Sequence, residues 1–255
     1  MSLSPWSLWL SAVLFAGMVV CLEAGYRLGR RRLALGTYRS LSDIETAIFA
    51  LLGLLLGFAF AGATSRFEAR RDLIVKEANA IGTAYLRLDL VPPTDQPDLR
   101  RLFRTYLQTR LRVHEQRGDP EAAAPLIEEV AALQQKIWTG AVQATARDDG
   151  SQSAKLLVLP ALNEMIDVTT SRMVAASTRL PELIVFLLMS VAMLSALLAG
   201  FAVAETGRNW LHILLYAGAV TITIYTVLDL DNPRAGLIRL DAADKVLTDL
   251  LQSIR

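Results

Sequence analysis

Cysteine, histidine and lysine are scarce in this chain of 255 residues, which has one cysteine, two histidines and only four lysines (Lys76, Lys136, Lys155, Lys245). With Cys21 alone, no intrachain disulfide forms and the redox compartment leaves no trace. His114 and His212 lie far apart and match no zinc-ligand spacing. There is no G-x-S-x-G to present a nucleophile, and no P-loop or G-x-G-x-x-G to cradle phosphates. Asp229-Leu230-Asp231 opens like a calcium loop, but Pro233 takes the fifth position and Leu240 the twelfth, where a bidentate glutamate belongs. Basic and acidic residues number 26 and 25, so the excess of positive charge that marks nucleic-acid binders is missing. These absences predict a chain with no enzymatic site, no metal, no cofactor and no nucleic-acid partner.

Apolar residues, by contrast, are abundant: they make up 53% of the chain, and its mean hydropathy is +0.37. A membrane-spanning helix needs about 20 predominantly apolar residues to cross ~30 Å of hydrocarbon. Four runs qualify, near 6–22, 44–63, 183–204 and 210–228, and the one Asp, Glu, Lys or Arg they hold is Glu45, at the start of the second. No basic residue precedes the first run and no small-residue cleavage site follows it, so it reads as a retained anchor, not a signal peptide. Trp6, Trp9, Tyr26 and Trp210 fall where interfacial aromatic belts are expected. Ser42-Asp43-Ile44-Glu45 fits a capping box that starts the second span near Ser42.

Small residues recur every fourth position in Gly53, Gly57 and Ala61, and again in Ala192, Ala196, Gly200 and Ala204. That spacing lets helix backbones approach closely, either within one chain or between copies. Phe58 and Phe60 share the second span with the glycines and are candidates for a hydrophobic pore constriction.

The 22 arginines match the codon bias of a GC-rich bacterial genome, and an inner (plasma) membrane location is expected. Arg27, Arg30, Arg31, Arg32 and Arg39 follow the first span, and short basic loops stay cytoplasmic. That rule places the N-terminus and the middle region outside. Arg66, Arg70, Arg71 and Lys76 after the second span oppose this orientation, but long loops translocate largely regardless of charge.

The expected organisation is a transmembrane hairpin over 1–64, an extramembrane region over 65–180, a second hairpin over 181–230 and a tail over 231–255. The middle region shows four amphipathic stripes at helical spacing. Ile74, Ala78, Ile81, Tyr85 and Leu88 make the first, and Leu99, Leu102, Phe103, Tyr106 and Leu107 the second. Leu126, Val130, Leu133, Ile137 and Ala141 make the third, opened by Asp119-Pro120. Leu162, Ile166, Thr169 and Met173 make the fourth. No proline interrupts Ser42 to Leu90, which predicts one helix of about 73 Å. Arg100, Arg101, Arg104, Arg110 and Arg112 crowd the second stripe's helix and read as a solvated or ion-paired face. The fold class is therefore all-α: a polytopic membrane protein with four spans in two hairpins and an inserted helical bundle.

Three phrases carry a family resemblance: Glu77-Ala78-Asn79-Ala80-Ile81-Gly82-Thr83-Ala84-Tyr85-Leu86-Arg87, Leu162-Asn163-Glu164-Met165-Ile166-Asp167, and Asp229-Leu230-Asp231-Asn232-Pro233-Arg234-Ala235-Gly236-Leu237-Ile238. They resemble a bacterial bestrophin-like membrane family over nearly the whole chain. True bestrophins are pentameric anion channels with four spans per subunit and a cytoplasmic domain. The resemblance thus implies a homo-oligomeric ion channel, but no calcium clasp matches residue by residue, and the arginine-rich first loop points to the opposite orientation. Glu77, Asn79 and Arg87 on one helix and Asn163, Glu164 and Asp167 on another are expected to face each other. They would then line a polar vestibule or ligand groove, or satisfy one another and fix the bundle register. The alternative to a channel is an envelope scaffold or sensor whose helical domain binds a partner or ligand.

Overall fold

Lipid tails are as apolar as leucine, so helices inside a bilayer associate through close packing rather than through exclusion of water. The small residues of the spans therefore decide which helices touch. The computed structural model describes residues 5–37, 42–116, 119–147, 152–207, 209–231 and 241–254. Among them, eight α-helices follow in order: α1 (Pro5–Ala34), α2 (Ser42–Leu86), α3 (Gln96–Glu115), α4 (Pro120–Thr145), α5 (Gln152–Ser177), α6 (Glu182–Ala202), α7 (Trp210–Asp231) and α8 (Asp241–Ser253). No strand occurs among the described residues. Four helical runs are long and apolar enough to cross a membrane: Trp9–Ala34 within α1, Asp43–Leu90 along α2 and the turn after it, Gln152–Ala202 over α5 and α6, and Trp210–Asp231, which is α7. The chain is an all-α, polytopic membrane protein.

Contacts divide it into two compact bodies. The first is Met1–Phe67 with Arg179–Ile238, and the second is Glu68–Thr178 with Arg239–Arg255. The 45 residues of α2 contribute to both.

In the first body α1 and α6 run parallel along a glycine seam. A Cβ on Gly25 would lie 1.9 Å from the Leu197 carbonyl oxygen, and one on Gly200 would lie 1.9 Å from that of Leu22. Gly29 sits against Ala204 and Phe201, and Gly17 against Met193. Backbone therefore meets backbone, a separation only glycine permits. The remaining core of this body includes Leu14, Met18, Leu52, Ala59, Ala192, Ala196, Ile213, Ala217 and Ile224. At the end of α7, the Asp231 carboxylate accepts from Arg66 Nε at 2.6 Å and from the Leu180 backbone N–H at 2.6 Å.

α1 is longer than its apolar run suggests, continuing from Leu22 to Ala34 through Arg27 and Arg30–Arg32. The extension carries Gly25 and Gly29, so its inner face stays pressed on α6 while its arginines are exposed.

The second body is a helical bundle built from the second half of α2, α3, α4, α5 and α8. Its core takes Ile81, Tyr85 and Leu88 from α2 and the turn after it, Phe103, Tyr106 and Leu107 from α3, Val130, Ile137 and Ala141 from α4, and Val158, Leu162 and Met165 from α5. The helix that begins at Ser42 tightens into a 3₁₀ turn at Arg87–Leu90 before Pro92 and Pro93. Asp119 caps α4 by accepting from the N–H groups of Glu121 and Ala122, each at 3.1 Å. Pro160 lies inside α5 without ending it. Met173, assigned to the buried stripe of α5, is exposed, and Met165 and Arg172 occupy that face instead. The C-terminal segment is not a separate tail: α8 packs in this body and buries Leu247. Residues 148–151 and 232–240 lie outside the described residues.

Gly25→Ala and Gly200→Ala are each expected to lower stability by about 1–3 kcal/mol through overpacking. Gly53→Ala should stay within about 0.5 kcal/mol of the parent, because a Cβ at Gly53 meets nothing within 4 Å. Unfolding of the purified chain in detergent measures both.

Candidate functional site

A carboxylate on an apolar stripe needs partners, and Glu77 lies on one, three residues after Ile74 and four before Ile81. Its side chain is 0% exposed. Arg110 holds the equivalent place on α3, three residues after Leu107, and Arg172 on α5, three after Thr169; both are buried. Arg110 Nε donates to Glu77 Oε1 at 2.7 Å, and Arg172 Nη1 donates to Glu77 Oε2. Arg172 Nη2 contacts His114 Nδ1 at 3.0 Å. Guanidinium has no acceptor, so Nδ1 accepts and the neutral ring carries its proton on Nε2.

A neutral chain of hydrogen bonds runs beside this cluster. Gln134 Nε2 donates to Tyr106 OH at 3.3 Å. The Thr169 hydroxyl donates to the Met165 carbonyl at 2.8 Å, so the 3.0 Å contact of Tyr106 with Thr169 is donated by the tyrosine. Together the two networks join α2, α3, α4 and α5 at one level of the bundle.

Burial alone would push the Glu77 carboxyl up. The charges of Arg110 and Arg172, with the hydrogen bonds they donate, outweigh that effect and hold it below the usual carboxylate range. Burial, foremost, raises the Tyr106 phenol. Both Glu77 oxygens are engaged by arginine, which leaves no carboxylate open to a metal or a substrate proton. Among the described residues no group of His, Cys, Asp or Glu is placed to hold a metal ion.

The two predicted sets of polar residues are not brought together. Glu77 turns to Arg110 and Arg172, while Asn79, Asn163, Glu164 and Asp167 are exposed. Asn163 Nδ2 bonds Asp167 Oδ2 along its own helix at 2.9 Å. Arg87 Nη1 donates to the Leu157 carbonyl at 2.7 Å. Of the arginines read as a solvated or ion-paired face, Arg110 is ion-paired and buried. Its spacing from Tyr106 and Leu107 is the signal that places it, and the same stripe rule identifies Arg172.

The second arrangement lies in the first body, on the membrane-spanning part of α2. Gly53, Gly57 and Ala61 line up with Ala50 on a face that none of the described residues covers. Phe58 and Phe60 flank it with 69% and 44% exposure. Ala196 and Gly200, the small residues of α6, are buried in the α1 seam. The small stripes of α2 and α6 thus differ in kind: one is filled within the chain, the other open.

Four membrane-crossing helices, with a helical body between the second and third, define a class of polytopic membrane proteins. The Bestrophin-like domain matches residues 45–244, and the chain belongs to that family. A single-residue variant of a bacterial bestrophin homolog from Klebsiella pneumoniae superposes with a TM-score of 0.76 at 15% identity, covering 97% of both chains. Another variant of that homolog gives 0.74 at 17% identity, covering 95% of this chain and 98% of the other. A crystal structure described only as a membrane protein gives 0.67 at 14% identity over 98% of each. At these identities the likeness is one of fold. No curated protein matches the sequence significantly.

Glu77→Ala is expected to cost about 3–5 kcal/mol, since it strands two buried arginines. A carboxyl with a lowered folded pKa contributes stability that is complete above its unfolded value and is lost as pH falls through the folded value. Denaturant midpoints should therefore drop on acidification below about pH 4. Glu77→Gln should flatten that part of the pH profile.

Proposed function

We propose that copies of this chain assemble around α2 and that the assembly is a non-catalytic ion channel, anion-selective by its family resemblance. The uncovered face of α2 carries this reading. A span whose small residues are left uncovered by the described residues of its own chain has the surface that close helix contacts between subunits use. Phe58 and Phe60 on such a helix supply a ring of apolar side chains, and hydrophobic constrictions gate by dewetting. The bestrophin homolog from Klebsiella pneumoniae shares the fold over nearly its full length, which supports the same reading.

The orientation we propose follows the charges: the α1–α2 connection in the cytoplasm, the N-terminus and the second body outside a bacterial inner membrane. Arg30, Arg31 and Arg32 are exposed at the end of α1. Of the basic residues after the α2 span, Arg66 is paired with Asp231 and Arg70 donates to the Ala175 carbonyl. This orientation is opposite to that of true bestrophins.

A second reading, a scaffold or sensor whose second body binds a partner, is supported by the exposed leucines of that body, Leu86, Leu90, Leu156 and Leu157.

In phosphatidylcholine vesicles the channel reading predicts chloride efflux above that of empty vesicles, and faster efflux from Phe58→Ala and Phe60→Ala. Protein that inserts yet passes no ion in any of the three forms would contradict it and favour the second reading. For orientation, cysteines at Gln116 and Gln152 in a Cys21→Ser background should react with an impermeant thiol reagent in cells whose outer membrane is permeabilised. Protection until the inner membrane is lysed would reverse the assignment.

A further inference from the structure

The glycine seam has a geometric by-product in the first body. α6 and α7 are consecutive and joined by a short connection, yet each packs chiefly on α1. They splay apart near that connection and leave an open cavity of about 580 Å³. Leu22, Ala199, Val203 and Ile213 form its floor, and Thr206, Asn209, His212 and Tyr216 supply its polar atoms. The floor is apolar and the rim polar, within the range of about 300–1,000 Å³ typical of ligand sites.

Three observations identify the occupant. Trp210, 48% exposed at the start of α7, marks the depth of the headgroups beside the rim residues Asn209 and His212. An apolar hollow that faces hydrocarbon forfeits dispersion contacts unless a chain enters it. Finally, Gly29 is level with Ala204, so Arg30, Arg31 and Arg32 stand one turn beyond, at the same end as the rim. Against them stands Glu205, exposed on the α6–α7 connection; Glu23 is spent on Arg27 at 2.7 Å. The local balance is basic, and anionic headgroups are drawn to such clusters.

We propose that the cavity between α6 and α7 binds one anionic phospholipid, with an acyl chain over Leu22, Ala199, Val203 and Ile213 and the headgroup at Asn209, His212 and the arginines of α1. The site is independent of ion conduction and of the orientation of the chain.

The test uses the full chain in phosphatidylcholine vesicles that contain either brominated phosphatidylglycerol or brominated phosphatidylcholine at equal mole fraction. The Trp210 signal is the difference between the parent and Trp210→Phe. Brominated phosphatidylglycerol should quench it several-fold more than brominated phosphatidylcholine does. Val203→Phe, which fills the floor, should remove the excess, and so should His212→Ala, an exposed position that leaves the fold intact if the filled variant fails to fold. Equal quenching by the two lipids overturns the proposal, whether the cavity is empty, filled by a second copy or indifferent to charge. An excess that survives in folded Val203→Phe, or in His212→Ala, places the lipid elsewhere and overturns it as well.

Discussion

The contact between the backbones of Gly25 and Leu197, and between those of Gly200 and Leu22, governs the first body. In lipid no expulsion of water presses helices together, so the separation at which two spans stop is set by the smallest residues they present. α1 and α6 present glycine to backbone and reach the closest distance available. Once these two are locked, α7 has α1 as its main support, and the wedge between α6 and α7 opens. α2 is left with apolar side chains such as Leu52 and Ala59 turned inward and Gly53 and Gly57 turned out.

The second body is held by a different constraint. The apolar stripes of four helices and α8 converge on a common core. Apolar stripes alone leave the register of one helix against another loosely specified. Glu77 between Arg110 and Arg172 specifies it, because sliding any of the three helices by one turn strands a buried charge. Tyr106 and Thr169 add a neutral tie at the same level. That Glu77 sits within a family-resembling phrase fits a structural role: the carboxylate that looked available for a ligand is saturated by its own protein.

Much of this was legible in the sequence. Run length and the near-absence of charge marked the four spans, and three-and-four spacing marked the stripes of the bundle, which the structure buries at Ile74, Ile81, Phe103, Val130, Ile137 and Leu162. What was not legible involved charged residues. The arginines of α1 hid the continuation of its small-residue seam through Gly25 and Gly29, since a hydropathy reading stops at the first charges whereas a helix does not. Arg110 was grouped by residue type with the other arginines of its helix and Arg172 was not singled out, although both positions are in register with apolar neighbours. Glu77 was read as facing Asn163 and Asp167 because residues within resembling phrases were paired with each other, and helix phase decides otherwise. Which small stripe is filled within the chain is a tertiary fact that no periodicity contains.

The central claim is that α2 keeps its small-residue face for another copy of the chain. The mass of the detergent-solubilised protein, measured by native mass spectrometry for the parent and for Gly53→Leu and Gly57→Leu, tests it most directly. The account predicts a closed homo-oligomer for the parent and a shift to monomer for both variants with helical content unchanged, since both glycines are exposed and a Cβ at either meets no described atom within 4 Å. A monomeric parent, or an oligomer indifferent to both leucines, would contradict it.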